Sequence, residues 1–155
     1  PPVLCLGVGR AWRVHRLGDG TAVRRGDLYG ELHLDNAAVV ALRRAGLSPM
    51  RLALMFRHEF RASLSTLARL SLECDRYRSL VAFSAITIFA DGLARLGFDV
   101  EDGGLIAPRI TGAYQHALLA SLAARPASHR SPRAHRMWIS RGRLRMMYGP
   151  LRRVS

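Results

Sequence analysis

The stretch from Leu28 to Leu34 constrains the fold more than any other part of this chain. Leucine or glycine occupies every second position, and polar residues fill the positions between them. An alternation with a period of two is typical of a β-strand with one face on a core and one polar face. The predicted core face carries Leu28, Gly30, Leu32 and Leu34, and the polar face carries Tyr29, Glu31 and His33.

Turn and cap signals flank this strand. Two short extended runs, 12–17 and 21–23, surround Gly18-Asp19-Gly20 and predict a β-hairpin. A second turn follows at 25–27. Beyond the strand, Asp35-Asn36 is a helix start, and Gly46 ends the helix that runs to Arg44.

Ser48-Pro49 predicts the start of the longest helix, with Ser48 as the N-cap and the proline at the first helical position. We expect this helix to end near Cys74. Its arginines lie off the apolar stripe. The stripe, which follows the helical period, consists of Leu52, Phe56, Phe60, Leu64, Leu67 and Ser71.

The second half of the chain mixes both kinds of element. Residues 80–88 form a continuous, β-rich and largely apolar run, which predicts a central strand. Short elements follow: a helix at 89–96 closed by Gly97, an extended segment at 98–100, a helix from Thr111 to about residue 125, a loop at 126–134, a strand at 135–140, and a last helix through 144–148. The predicted fold class is α+β, with a small mixed or antiparallel sheet and about four helices in a single domain over 1–155.

The positive charge is concentrated in the C-terminal third. The formal net charge is +13, and every basic residue is an arginine. Residues 103–155 carry ten arginines and no acidic residue. Because guanidinium groups bind phosphate and carboxylate, this third predicts a site for an anionic glycan, a lipid head group or an acidic protein partner. The predicted anion-binding residues are Arg109, Arg136, Arg141, Arg143 and Arg145.

Two alternatives to this patch stay open. A solvated basic surface that reflects compositional bias explains the arginines equally well. Nucleic acid is the weaker alternative as a partner, because aromatic residues are few and no helix-turn-helix or RNP-type pattern occurs.

Several segments together resemble a known family. They are the turn Gly26-Asp27, GELHLDN at 30–36, the Ser48-Pro49 helix start, AITIFADGLARLGFDV at 85–100 and WISRGRLRMMYG at 138–149. This order resembles the YkoP-like domain of bacteria, which occurs alone or appended to polysaccharide deacetylases. The resemblance implies a role in cell-envelope or exopolysaccharide metabolism and identifies no catalytic residues. The deacetylase chemistry would belong to the attached domain.

The polar face of the 28–34 strand holds the candidate catalytic residues Glu31, His33 and Asp35. Neighbours on one strand face stand roughly 6.6 Å apart, so Glu31 and His33 are predicted to lie side by side. A neutral imidazole beside a carboxylate is a general base, and this pattern is consistent with a small hydrolase or transferase. The alternative is a solvated strand face with Asp35 or Asn36 as the helix cap.

Other motifs fail on inspection. His58-Glu59 lacks the second histidine of a zinc motif, because position 62 is alanine. Gly7-Val-Gly9 lacks the third glycine of a dinucleotide-binding loop. We therefore predict no cofactor and no metal. Cys5 and Cys74 are predicted to be buried free thiols, with a disulfide or a nucleophile as the alternatives.

Hydropathy bears on location. No uninterrupted apolar run is long enough to span a membrane, and no basic segment precedes the apolar N-terminal residues. These features favour a cytoplasmic protein, with association at the inner face of the membrane left open. The oligomeric state has no signal in the sequence.

Overall fold

The structure is a computed structural model, and it describes residues 3–87, 90–105 and 134–150. Within these ranges, the strands are β1 (Leu4–Arg10), β2 (His15–Arg16), β3 (Ala22–Val23), β4 (Leu28–Leu34), β5 (Ala82–Thr87), β6 (Asp99–Leu105) and β7 (His135–Ser140). Five of them form one sheet in the order β1-β4-β5-β7-β6, and β2 and β3 form a separate hairpin. Only β4 and β5 are parallel in this mixed sheet.

The described helices are α1 (Asn36–Arg44), α2 (Pro49–Glu73), α3 (Asp75–Arg78), α4 (Ala90–Ala94) and α5 (Arg141–Tyr148). Helices α1, α2 and α3 lie between β4 and β5 in the chain. They form the crossover connection that two parallel neighbouring strands need. The arrangement of helices with a mixed sheet confirms the predicted α+β class.

Most predicted elements are confirmed. The strand over Leu28–Leu34 has the predicted bounds, β5 lies at the centre of the sheet, and α2 begins after Ser48. Strand β1 and helix α3 were not predicted. The predicted helix from Thr111 and residues 126–133 of the following loop lie outside the described residues.

The main core lies between the sheet and α2. Leu32, Phe83 and Ile139 contribute the sheet side, and Phe60 and Leu64 contribute the helix side. The predicted stripe on α2 is confirmed at all positions except one, because the Phe56 side chain is only half-buried. Its ring still packs against Phe60, with the ring centroids 6.0 Å apart.

Arginines from outside α2 satisfy its C-terminal carbonyl groups. The last turn of α2 contains no basic residue. Instead, the Arg145 guanidinium on α5 donates to the Ser71 carbonyl and, at 2.9 Å, to Ser71 Oγ. Arg78 Nη2 lies 3.5 Å from the Glu73 carbonyl oxygen. Cations placed at the negative end of a helix stabilise it, so Arg145 joins α5 to α2.

A second set of contacts fixes the β2–β3 hairpin on the sheet. Ser140 caps α5 by accepting a 2.9 Å hydrogen bond from the Arg143 amide, and its hydroxyl donates to Asp19. Asp99 accepts from the Gly18 amide at 2.9 Å and pairs with Arg143 at 3.0 Å. A Cβ at Gly18 would lie 2.8 Å from Asp99 Oδ1, so glycine permits this approach.

Candidate functional site

The side of the sheet opposite α2 is polar. The main core lies on the other side of the sheet. There, buried residues of the helices pack around Leu32 and Phe83. The β2–β3 hairpin covers one end of the polar side through Leu17 and Val23. We call this polar side the open sheet face, and its side chains are Tyr29, Glu31, His33, Ser84, Glu101, Arg136 and Trp138. Of these, Tyr29, Ser84 and Trp138 are buried, whereas Glu31 and His33 reach the solvent.

Glu31 lies at the centre of this face. The Tyr29 hydroxyl donates to Glu31 Oε1 at 2.7 Å, and Arg136 Nη1 lies 3.8 Å from the same oxygen. His33 Nε2 lies 3.8 Å from the other carboxylate oxygen. Burial and the hydrogen bond to Glu31 raise the pKa of Tyr29, so its phenol stays protonated and keeps donating. The carboxylate is therefore held in place while 37% of the Glu31 side chain stays exposed.

Arg136 connects two carboxylates across the sheet. Its Nη1 faces Glu31, and its Nε lies 3.6 Å from Glu101 Oε2. The same Nη1 lies 3.5 Å from Ser84 Oγ and 3.4 Å from the Tyr29 hydroxyl. These contacts with β4, β5 and β6 fix the direction of the guanidinium plane.

Glu101 is almost fully buried, with 7% of its side chain exposed. Trp138 Nε1 donates to its Oε2 at 3.0 Å, and Arg13 forms an ion pair with its Oε1. His15 Nδ1 lies 3.6 Å from the same oxygen, and the His15 ring lies 4.7 Å from that of Trp138. Burial and then the positive charges of Arg13 and Arg136 lower the pKa of His15, which favours the neutral imidazole.

Strand β1 forms the edge of this face, and its Gly9 makes room for Tyr29. Gly9 faces Tyr29 and Gly7 faces Glu31 in the antiparallel register. A Cβ at Gly9 would lie 2.7 Å from Tyr29 Cζ, so the tyrosine ring rests directly on the glycine backbone. Gly9 of the Gly7-Val-Gly9 motif is therefore a packing feature of the open sheet face, whereas a Cβ at Gly7 would come no closer than 3.6 Å to Glu31.

A family model described as the YkoP domain matches residues 13–148. The chain belongs to the YkoP family. The match includes all the side chains of the open sheet face, whereas β1 lies before the matched residues. No curated protein and no solved structure gives a significant match.

In this YkoP domain, two of the three predicted catalytic residues lie side by side. Glu31 and His33 are neighbours on the open sheet face, and 63% of the His33 side chain is exposed. Asp35 has a different contact, because its Oδ1 accepts hydrogen bonds from the amides of Ala37 at 2.8 Å and Ala38 at 3.2 Å. Asp35 therefore caps α1, as the alternative interpretation of its sequence position stated.

The predicted anion-binding arginines of the YkoP domain lie in different surroundings. Arg136 is on the open sheet face, whereas Arg143 pairs with Asp99 and Arg145 binds Ser71. The Arg141 backbone amide donates to the Val81 carbonyl at 3.0 Å, and its side chain is half-buried. Arg109 lies outside the described residues.

Sequence reasoning missed several members of the site. Tyr29 was assigned to the polar face of β4 but not to a function. Arg13, Ser84, Glu101 and Trp138 come from distant parts of the chain, and no local pattern connects them to Glu31. Trp12, which lies beside Arg13, was also missed. This residue is 72% exposed, and the Arg13 guanidinium lies 5.0 Å from its ring centroid.

The cysteines of the YkoP domain correct one prediction. Cys5 is exposed rather than buried, because it lies on the edge strand β1 and faces His33 in the register. Cys74 is half-buried at the end of α2, and both thiols are free. Within the described ranges, no group of three or more His, Cys, Asp or Glu side chains could hold a metal ion.

Proposed function

We propose that this YkoP domain is a bacterial accessory module that binds an anionic glycan of cell-envelope metabolism on the open sheet face. The observation that carries the proposal is the fixed row Glu31–Arg136–Glu101, in which one guanidinium lies between two carboxylates. Buried Glu101 fixes Arg136, and the partly exposed Glu31 carboxylate beside it is a preorganised acceptor for the hydroxyl groups of a sugar. The role in polysaccharide metabolism that the sequence resemblance implies favours the same ligand class.

The side chains at the two ends of this row, Trp12 and His33, also suit a sugar ligand. Exposed Trp12 offers an aromatic face on which the C–H groups of a sugar ring can pack. Exposed His33 offers a donor or acceptor at the other end. The net charge of +13 attracts an anionic chain at long range, while Glu31 selects its hydroxyl groups at short range.

A titration of the chain with polysaccharides, followed by calorimetry, tests the proposal. The panel contains anionic, neutral and amino-sugar polymers. Glu31→Gln and Trp12→Ala should each weaken binding about tenfold, because each removes a contact group from the row. Arg69→Gln is the matched control, since Arg69 lies exposed on α2, where it pairs with nearby Glu73. Equal affinity for the parent, Glu31→Gln and Trp12→Ala would refute the proposal.

A second candidate function is a small hydrolase or transferase centred on His33 and Glu31. The specific observation is the 3.8 Å separation between His33 Nε2 and Glu31 Oε2. In this role Glu31 orients the imidazole and His33 acts as the general base. The enzyme is favoured over the binding module if the parent turns over a bound polysaccharide and His33→Ala abolishes this turnover while it keeps the affinity for the ligand. Nucleic-acid binding has no comparable observation on this face.

The proposal includes a cytoplasmic location with association at the inner face of the membrane. No helix in the described parts of the chain has the length and apolar character that a membrane span requires. Cell fractionation with the chain at its native expression level tests the location. Recovery in the fraction outside the cell or between the membranes, rather than in the cytosol or on the cytoplasmic membrane, would refute this part of the proposal.

A further inference from the structure

The corner formed by α1 and the first half of α2 combines arginines with exposed apolar side chains. Residues 36–58 contain four arginines and no acidic residue. Elsewhere on α2, Arg69 pairs with Glu73, so positive charge is balanced at the C-terminal end of the helix. Among the described residues, exposed Arg51 and Arg57 at the N-terminal end form no such ion pair, so this end carries a local positive charge.

The exposed apolar residues of this corner point to solvent from the same side of α2. Met50 is 71% exposed and Leu54 is 58% exposed. Their spacing of four residues places them on one helix face, and Arg57 and Arg61 continue the same stripe. Arg51 flanks the stripe and is also exposed. We call Met50, Arg51, Leu54 and Arg57 the corner surface.

We propose that the corner surface docks on an anionic phospholipid bilayer. Apolar side chains that enter the acyl boundary, flanked by arginines at the level of the head groups, are the features of interfacial helices. A soluble polyanion would use the arginines but leave Met50 and Leu54 in water. A second copy docked by the same surface would bring the arginines of both copies together, which like-charge repulsion opposes.

This docking leaves the open sheet face free. Helix α2 packs on the opposite side of the sheet from Glu31 and Arg136. A bilayer bound at the corner surface therefore does not cover the row Glu31–Arg136–Glu101. The inference does not depend on the proposed glycan ligand.

Co-sedimentation of the full chain with lipid vesicles tests the inference. One set of vesicles is pure phosphatidylcholine, and the other also contains phosphatidylglycerol. The parent should bind only the anionic vesicles. Arg51→Gln with Arg57→Gln should weaken binding about fivefold for each arginine removed. Met50→Ser with Leu54→Ser should weaken it about tenfold or more.

A matched control comes from the other end of the same helix. Arg69→Gln with Leu72→Ser removes one exposed arginine and one apolar residue that is 42% exposed, and it should leave vesicle binding unchanged. Circular dichroism melts of all variants separate lost binding from lost folding. Glu31→Gln should bind vesicles like the parent.

Three results would overturn the inference. The first is equal binding of the parent to neutral and anionic vesicles. The second is a Met50→Ser, Leu54→Ser variant that folds and binds anionic vesicles like the parent, which would reduce the surface to a site for soluble polyanions such as heparin. The third is a loss of vesicle binding in the Arg69→Gln, Leu72→Ser control as large as in the corner variants.

Discussion

Replacing Arg145 with methionine tests whether this arginine stabilises α2 rather than binding a ligand. Methionine keeps much of the side-chain volume and removes the guanidinium. Two hydrogen bonds to Ser71 are lost, one to its hydroxyl and one to its carbonyl. Ser71 is completely buried, so water cannot replace the guanidinium without a rearrangement of the end of the helix.

The expected loss of stability follows from these contacts. A hydrogen bond from a charged donor contributes about 1.5–3 kcal/mol, and the interaction of a cation with a helix C-terminus contributes roughly 0.3–1 kcal/mol. The two bonds share one guanidinium and do not add fully, so we expect Arg145→Met to cost about 2–4 kcal/mol. For a chain of this size, that corresponds to a fall in Tm of roughly 5–15 °C.

Chemical denaturation and thermal melts measure this loss, with two comparison variants. Arg69→Met makes the same change on α2 at an exposed pair with Glu73 and should cost about 0.5 kcal/mol or less. Ser71→Ala removes the hydroxyl that accepts from Arg145 and donates to the Ala68 carbonyl at 2.7 Å, and its effect should add only in part to that of Arg145→Met. If Arg145→Met is no more destabilising than Arg69→Met, the capping role assigned to Arg145 is wrong.

Three other predictions concern the core, the cap of α1 and the hairpin. Phe60→Ala should cost roughly 3–5 kcal/mol in urea denaturation, and Phe56→Ala less, because only Phe60 is fully covered; equal losses would contradict the burial of α2. Asp35→Ala should cost about 1 kcal/mol through the lost cap, whereas exposed His33→Ala should leave Tm unchanged; an unstable His33 variant that keeps its ligand would make this histidine structural. Although burial opposes ionisation of Asp19, hydrogen bonds from Ser140 and Thr21 lower its pKa overall, so its stabilisation is present above the unfolded-state pKa and is lost as pH falls through the lower folded-state pKa. Asp19→Asn should therefore reduce the fall in Tm on acidification, and an unchanged acid limb of the Tm profile would refute that assignment.

Local patterns in the sequence determined most of the secondary structure. The alternation from Leu28 to Leu34 predicted β4 and its two faces, because the side chains of a strand alternate whatever the strand pairs with. Ser48 and Pro49 predicted the start of α2, because both act on the backbone of the next few residues. The same reasoning placed Glu31 beside His33, because the spacing between two residues on one strand face is set within that strand.

Pairing between distant segments decided the rest. Strand β1 was missed because its glycines weaken the local strand pattern, and its backbone is held by hydrogen bonds to β4. Arg136 reaches the Tyr29 hydroxyl from 107 residues along the chain, and Arg145 reaches Ser71 from 74 residues away. In the sequence, the arginines of the C-terminal third are equivalent cations. Only the fold separates Arg136, which faces Glu31, from Arg145, which caps α2, because the position of a guanidinium depends on the sheet order and helix packing that bring its partners to it.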